Sequence, residues 1–390
     1  MAGEITIQQL MQTPVITRVV SRIKTPMTLM QSFFKMLPGQ ASSQNVSGRY
    51  LGWDIFDKTR LIAEGRAPGT GPATVHRKAV GHVSAVAYRA HEKITMLHEE
   101  IFRTRPLGQQ FGIVDVNGQN YINRQLEYMT QRFRNSREFM ISRLLRGGFG
   151  VLQSGESWVP VEKGAGTFDV DYGIPASNLD QLAMGTGANI IGAGEGWQRA
   201  GTDVIDHILT INKSMERQNG RPLRHIWINS TTFNYLLSNT SLQNVAGTAY
   251  RIFDSLTARN MKSEEGIPDS GFDVVFRGLP LQTFHIYDGV LNVNQTVDSD
   301  TTANSSMFIP DDVAVFMPDP APDWIGYISA SEFVKENIMD NGKQVFGFHS
   351  WTTNVIDPAG VELKMIDNGL PVLYVPKCIA YGTVANYSGS

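Results

Sequence analysis

Residues 122–148, INRQLEYMTQRFRNSREFMISRLLRGG, carry the clearest helical pattern in this chain. Apolar side chains recur there at steps of four, three, four, seven and four residues, which places them on one face of a helix. They are Ile122, Leu126, Met129, Phe133, Met140 and Leu144. We predict a helix over residues 120–146, about 40 Å long at 1.5 Å per residue. Gly147 and Gly148 are expected to end it as a glycine cap.

The other face of this helix is strongly basic, and it belongs to a basic part of the chain. Residues 1–149 contain 20 basic and 10 acidic residues, which leaves 14 and 27 for the remainder, because the totals are 34 and 37. Such an asymmetry suggests a surface for nucleic acid, or a basic region that docks on an acidic region of another copy. An ordinary solvated polar face is the alternative for the helix itself.

The residues before this helix read as two projecting elements. Residues 1–49 resemble an arm, in which Thr13-Pro14 and Thr25-Pro26 each predict the start of a short amphipathic helix. Helices this short are not stable alone. We therefore expect them to dock on the protein's own body or on a neighbour. A membrane surface is less favoured because their polar face is not rich in lysine.

Residues 50–96 predict a long hairpin. Two extended stretches, 50–63 and 75–88, flank a tip rich in glycine and proline, GRAPGTGPAT at 65–74. A two-stranded hairpin of this kind cannot bury enough surface to be stable alone, so it should rest on another surface.

The remainder alternates strands and helices. Short strands broken by glycine are predicted over 151–197, followed by a helix at 203–218, a strand at 225–229 and a helix capped by Ser230. Further strands are expected at 272–276, 281–287 and 307–317, and three more from residue 344, with turns at 357–360 and 367–371. We expect the closing strands to pair with the glycine-broken strands, which would make the α/β block an insertion.

Composition and motifs give no support to an enzyme. The 390 residues are 42% hydrophobic and 18% charged, which excludes a disordered or fibrous chain. Cys378 is the single cysteine and is expected to be a reduced thiol in a buried strand. The segment 185–196 lacks the third glycine of a dinucleotide motif, and His76, His82, His91 and His98 lack metal-ligand spacing. We predict no catalytic, cofactor or metal site.

No signal peptide and no run of about 18 apolar residues is present, so a cytoplasm-like compartment without membrane contact is expected.

The order of arm, hairpin, long helix, α/β block and strand-rich end resembles the major capsid proteins of tailed bacteriophages. The closest likeness is to the lambda-like major capsid protein E family. It rests on the hairpin, the long helix, RHIWINSTTFNYL at 224–236, and the segments FIPDDVAVFMPDPAPDWIGYISASEF at 308–333 and WTTNVIDPAGVELKMIDNGLPVLYVP at 351–376. The resemblance implies an α+β fold of the Hong Kong 97 type.

The resemblance also implies a division of the chain. Residues 1–49 would be the N-terminal arm and 50–96 the extended loop, while 97–190 and 335–390 would form a peripheral domain with a spine helix at 120–146. Residues 191–334 would form the axial domain. An encapsulin-type compartment and, less favoured, a cytoplasmic α/β enzyme are the alternatives.

The function implied is a shell protein that assembles in the host bacterial cytoplasm into the hexamers and pentamers of an icosahedral virion capsid. Its implied partners are other copies of itself, a portal at one vertex, a decoration protein and packaged double-stranded DNA bound without sequence specificity. A separate scaffold protein is expected, because no scaffolding segment precedes the arm.

Two sets of residues are candidates for these contacts. The first would contact a neighbouring subunit through the extended loop: Arg60, Arg66, Pro68, Gly69, Gly71 and Lys78. The second would face DNA through phosphate contacts: Arg18, Arg22, Lys24, Arg124, Arg132, Arg134 and Arg137.

Overall fold

The computed structural model of this chain is an α+β protein, as expected. It describes residues 28–39, 44–56, 81–103, 116–154, 157–180, 182, 189–191, 195–246, 257–262, 268–276, 278–292, 305–335, 342–355 and 359–385. The helices are α1 (Leu29–Phe34), α2 (His98–Arg103), α3 (Val116–Leu144), α4 (Val204–Asn219), α5 (Ser230–Ser238) and α6 (Thr240–Ala246), and single 3₁₀ turns lie at Ala176–Asn178 and Pro376–Cys378.

The strands of the first half are β1 (Gln44–Val46), β2 (Tyr50–Ile55), β3 (Gly81–Val86), β4 (Tyr88–Leu97), β5 (Gly148–Ser154), β6 (Ser157–Glu162), β7 (Phe168–Asp171), β8 (Leu179–Asp180), β9 (His225–Ile228) and β10 (Thr257–Lys262). Those of the second half are β11 (Pro268–Val275), β12 (Thr283–Tyr287), β13 (Val290–Asn292), β14 (Ser305–Met307), β15 (Val313–Met317), β16 (Ile325–Val334), β17 (Lys343–Phe346), β18 (His349–Val355), β19 (Gly360–Leu373) and β20 (Ala380–Thr383).

The predicted long helix is α3, which we call the spine helix. All six residues of its predicted apolar face are at most 2% exposed. The N-terminal half of this face packs on β4 and β19 through Met96, Val361, Leu363 and Met365. Gly147 follows the helix with φ of +99°, in the left-handed region that favours glycine, so the predicted C-terminal cap is confirmed.

The spine helix lies against a six-stranded sheet centred on β19. β4 pairs with β19 from residue 360 to 369, while β18 and then β16 pair along its other side. β1 and β17 attach to β16. This sheet therefore joins strands from both ends of the chain around one long C-terminal strand.

The turn predicted at 367–371 is wrong, because β19 runs straight through it. Asn368 and Gly369 pair with β4, and Gly369 also pairs with β16. A Cβ atom at Gly369 would lie 2.5 Å from the carbonyl oxygen of Ile328 and 2.7 Å from the ring of Tyr327. Glycine is thus required here by close approach of a neighbouring strand, which sequence alone does not distinguish from a turn.

A second, seven-stranded sheet has the order β10-β11-β12-β9-β15-β20-β8. The predicted helices of the α/β block are present, and α4 and α5 pack on this sheet. The cap of α5 lies one residue before the expected Ser230. Asp203 caps α4 by accepting from the Asp206 N–H, and Asn229 caps α5 by accepting from the Thr232 N–H.

The closing strands do not pair with most of the glycine-broken strands. β5, β6 and β7 form a separate three-stranded sheet, and β20 pairs with β8 and β15. β4 and β16, which lie before and after the α/β block in the sequence, both belong to the six-stranded sheet. The predicted limit at residue 334 places β16 with the α/β block, whereas its hydrogen bonds join it to β19.

The base of the predicted hairpin is present. β2 and β3 pair antiparallel from Tyr50 opposite Val86 to Ile55 opposite Gly81. The remainder of the hairpin, residues 57–80, lies outside the described residues. In the part of the chain that is described, no helix is both long and apolar enough to cross a membrane.

Candidate assembly site at the arm and spine helices

The short helix α1, which we call the arm helix, is held at its N-terminus by a buried carboxylate of the spine helix. Thr28 occupies the cap position, but the capping oxygens come from Glu138, which is 0% exposed. Oε1 of Glu138 accepts from the Met30 N–H at 2.7 Å, and Oε2 accepts from the Gln31 N–H at 3.0 Å. A negative charge at the end of a helix where N–H groups lack intrahelical partners is favourable.

Glu138 also bonds two side chains from other elements. The Gln31 side-chain amide donates to Glu138 Oε2 at 2.9 Å and to the Arg134 carbonyl at 2.7 Å. The Tyr287 hydroxyl, at the end of β12, donates to Glu138 Oε1 at 3.3 Å. One carboxylate therefore links the arm helix, the spine helix and the seven-stranded sheet.

One residue before Glu138, Arg137 joins the spine helix to β19 and to the arm. Its guanidinium donates to Asp367 at 2.5 Å and 2.6 Å, and Nη1 donates to the Met36 carbonyl at 2.9 Å. The guanidinium also lies 4.2 Å from the ring centre of Tyr327. Burial disfavours its charged form, but the attraction of Asp367 and Tyr327 outweighs burial and raises the pKa of Arg137.

Apolar packing completes the docking of the arm. Leu29, Met30, Phe34 and Met36 belong to the same buried cluster as the C-terminal half of the spine helix. The ring of Phe34 meets Trp324 edge to face at 6.3 Å. The short helix predicted after Thr25-Pro26 is present over Leu29–Phe34, and it docks on the protein's own body.

The structure separates the arginines predicted to face DNA. Arg134 and Arg137 are each 3% exposed, so the hypothesis that they contact DNA is wrong: their side chains are buried within the subunit. Arg132 donates to Glu92 at 2.7 Å, and this hydrogen bond raises its pKa. Arg124 is exposed on the spine helix. Arg18, Arg22 and Lys24 lie outside the described residues.

The charge asymmetry of the chain is partly neutralised within one subunit. Among the described residues, five basic side chains of the first 149 residues form ion pairs with acidic side chains of the later part. The pairs are Arg89–Glu332, Lys93–Glu362, Arg137–Asp367, Arg143–Glu162 and Arg146–Glu162. The asymmetry therefore reports partly on contacts inside the fold, an explanation that reasoning from the sequence missed.

The base of the hairpin presents aromatic side chains on both sides. Trp53 is buried against Tyr172, with ring centres 6.0 Å apart, and the Phe56 N–H donates to the Tyr374 carbonyl at 2.8 Å. Tyr50 and Phe56, in contrast, are 78% and 50% exposed. The predicted contact residues Arg60, Arg66, Pro68, Gly69, Gly71 and Lys78 lie outside the described residues.

The described residues contain no group of three or more His, Cys, Asp or Glu side chains that could hold a metal ion. Cys378 is buried, as predicted, although it lies in a 3₁₀ turn and not in a strand.

Comparison with known proteins identifies one family. The family model described as phage major capsid protein E matches residues 12–384. A search of curated proteins finds no match to this chain.

A search of solved structures finds similar chains, among them three with the following identity to this chain, coverage and TM-score. A putative capsid protein of a prophage of E. coli CFT073 is 15% identical, with 98% of this chain and 100% of that chain covered and a TM-score of 0.49. A phage-related protein from Bordetella bronchiseptica RB50 is 8% identical, with 97% and 99% covered and a TM-score of 0.48. The capsid of cyanophage P-SCSP1u is 12% identical, with 88% and 86% covered and a TM-score of 0.40.

Proposed function

Because the chain belongs to the phage major capsid protein E family, we propose that it builds its shell through an arm held on its own spine helix and a hairpin that reaches a neighbouring subunit. The chain is a structural protein of the virion capsid, where copies of it self-assemble, and not an enzyme. The observation that carries this conclusion is the match of the family model over nearly the whole chain. Hexamers and pentamers of an icosahedral head are the proposed form of the shell.

The strand pairings support a division into two bodies. The proposed peripheral domain is built on the six-stranded sheet and the spine helix, and includes β4, β16 and β19. The proposed axial domain is built on the seven-stranded sheet, and includes β20 from the C-terminal region. The extended loop then begins at β2 and returns at β3.

The exposed aromatic side chains at the hairpin base support its role in contact between subunits. Tyr50 and Phe56 leave apolar surface uncovered where the hairpin meets the body. We propose that the hairpin covers an adjacent subunit, with Arg60, Arg66, Pro68, Gly69, Gly71 and Lys78 among its contacts.

Deletion of residues 66–73 tests this role. We expect the deleted protein to fold as a soluble subunit or capsomer and to fail to close into shells, because the tip contributes to contacts between subunits. Electron microscopy of the purified protein is the measurement. A control in which residues 66–73 are replaced by an equally long glycine-serine segment separates chain length from side-chain contacts. Normal particles from the deletion would contradict the proposal.

The packaged partner is proposed to be double-stranded DNA, contacted through phosphates. Arg124 supports this proposal among the described residues because it is an exposed cation on the spine helix. Arg132 is held by Glu92, and Arg18, Arg22 and Lys24 stay proposals from the sequence.

Substitution of Arg124 by glutamine is expected to weaken binding of capsomers to double-stranded DNA. The slope of log affinity against log salt concentration should fall by about 0.9 for each phosphate that Arg124 no longer neutralises. Fluorescence anisotropy over a salt series measures this slope. The matched control is Arg199→Gln, which removes an exposed arginine outside the spine helix. Equal slopes for Arg124→Gln and the unmodified protein would exclude this contact.

The remaining partners are proposed from the family alone. They are a separate scaffold protein, a portal at one vertex and a decoration protein, with assembly in the cytoplasm of the host bacterium. Co-purification of particles from infected cells, followed by mass spectrometry of their proteins, would test each of them.

A further inference from the structure

Four titratable side chains form a continuous hydrogen-bonded row beneath the arm helix. Asp273 Oδ1 lies 2.5 Å from His285 Nδ1. His285 Nε2 lies 2.8 Å from His225 Nδ1, and His225 Nε2 lies 2.9 Å from Asp319 Oδ1. β11, β12 and β9 supply the first three residues, and the segment after β15 supplies the fourth.

The arm helix sits directly on this row. The ring of Phe33 meets His225 edge to face at 4.9 Å and His285 at 5.2 Å. Trp227 stacks on His285 at 4.6 Å from beside the row. The side chains of His285 and His225 are 4% and 15% exposed, so each imidazole has little water available as an alternative partner. The packing of the arm helix on the sheet therefore depends on the hydrogen bonds that these two rings make.

The number of hydrogen atoms in the row decides whether all its contacts can form. Three contacts need three donated hydrogens. The two carboxylates donate none, and two neutral imidazoles carry one N–H each, whichever tautomers they adopt. With two hydrogens, one contact must place an acceptor against an acceptor. With four, two N–H groups must face each other between the rings. All three contacts form only with one additional proton.

We propose that the row Asp273–His285–His225–Asp319 binds one proton beyond those of two neutral imidazoles, and that this proton holds the arm helix on the seven-stranded sheet. The bound proton lies between two carboxylates, which favour positive charge. Removal of the proton opens one contact, and addition of a second opens the contact between the rings. The arm helix is then seated most firmly at an intermediate pH. This inference concerns the subunit itself and goes beyond its role in a shell.

The surroundings agree with a row that accepts one proton and resists a second. Burial first, and then the neighbouring His285, lower the pKa of His225 below its ordinary value. Because repulsion from His285 contributes, the lowered pKa of His225 belongs to the second protonation of the row. That second protonation opposes the packed state, so the stability it would remove is present above about pH 6.5 and is lost only as pH falls through the lowered value.

The charged groups that face the two rings, among the described residues, are Asp273 and Asp319. The arm helix contributes the uncharged Phe33, and the nearby Arg224 guanidinium donates instead to the Leu281 carbonyl at the limit of 3.5 Å. The two carboxylates therefore set the charge balance of the row.

Asp319→Asn is the variant that separates this proposal from ordinary packing. An asparagine amide can donate to His225 Nε2, so it supplies the third hydrogen without an added proton. The Asp319 side chain is 72% exposed, which makes the substitution compatible with folding. The matched control is Asp323→Asn, which removes the same charge four residues after Asp319. The Asp323 side chain pairs with Arg221 and lies outside the row.

The measurement is hydrogen exchange of the peptide covering residues 28–37, corrected for the intrinsic exchange rate at each pH. It is made at about pH 6 and about pH 8, because these values bracket the usual range of histidine titration. We expect protection in the unmodified protein and in Asp323→Asn to be roughly five- to thirtyfold lower at the higher pH, the factor for one buried hydrogen bond. Asp319→Asn should keep equal protection at both. Protection in the unmodified protein that is independent of pH, or a loss in Asp319→Asn equal to that in Asp323→Asn, would overturn the proposal.

Discussion

Replacement of Asp367 by asparagine is expected to lower the free energy of unfolding of the subunit by about 3–5 kcal/mol, the cost of leaving one member of a buried ion pair without its partner. Arg137 and Asp367 each have side chains that are 4% exposed, so solvent cannot replace the lost charge. The guanidinium is also held at the Met36 carbonyl and near the Tyr327 ring, which prevents it from moving out to water.

Urea unfolding of unassembled subunits, at one fixed protein concentration, measures this effect, because association itself adds apparent stability. The matched control is Asp171→Asn, which breaks an exposed pair with Lys163. Exposed pairs contribute about 0–1 kcal/mol. If Asp367→Asn lowers the free energy of unfolding no more than the control does, the buried pair does not stabilise the contact between the spine helix and β19.

Replacement of both partners, as Arg137→Met with Asp367→Leu, should recover most of the loss. A double variant leaves no unpaired charge in the core, and buried ion pairs can often be exchanged for apolar side chains at little cost. The recovery would assign the loss in the single variant to the uncompensated arginine.

The pattern that predicted the spine helix also contained a sign of this buried pair. Its apolar face has one step of seven, from Phe133 to Met140, and the position missing from the repeat is residue 137. An arginine at that position lies on the buried face and needs a partner there. Residue type alone groups Arg137 with the solvent-facing arginines, whereas its position in the repeat indicates burial.

The sequence indicates the burial of Glu138 less clearly than that of Arg137. Glu138 lies beside the apolar face and carries one of two carboxylates on a basic helix, which is equally typical of a solvated position. Its role depends on contact with the arm helix, which lies more than 100 residues earlier in the sequence. Met30 and Gln31 of that helix donate their N–H groups to Glu138. No local pattern encodes that meeting, because it is a property of the tertiary fold.

Local chemistry predicted the elements well and their pairing poorly. The spine helix, the arm helix, the hairpin base and the helices of the α/β block follow from periodicity and turn residues, which act over a few positions. The pairing of β4 with β19 joins residues about 270 positions apart, and alternation along each strand does not specify its partner. Gly369 shows the same limit, since its neighbours in space decide why glycine is present.

The arm helix, in turn, makes Glu138 the residue whose neutralisation should most affect assembly. Glutamine at position 138 keeps the shape of the side chain but replaces one acceptor oxygen with an NH₂ group. That group cannot accept from the Met30 or Gln31 N–H, so one buried donor is left without its partner and the other is left without a charged acceptor. The cost falls on the attachment of the arm, because Glu138 accepts three hydrogen bonds from the arm and one from Tyr287.

We expect Glu138→Gln to weaken arm attachment by roughly 2–4 kcal/mol, from the usual cost of a buried hydrogen bond to a charged group. Opening of the arm helix should then increase roughly 30- to 700-fold, measured by hydrogen exchange over residues 28–37. Electron microscopy should show few closed shells, because an arm that detaches from its own subunit cannot hold a fixed position in the lattice. Glu127→Gln, an exposed neutralisation on the same helix, is the matched control and should exchange and assemble like the unmodified protein. Normal protection of the arm in Glu138→Gln would show that apolar packing of Leu29, Met30 and Phe34 is sufficient to hold it.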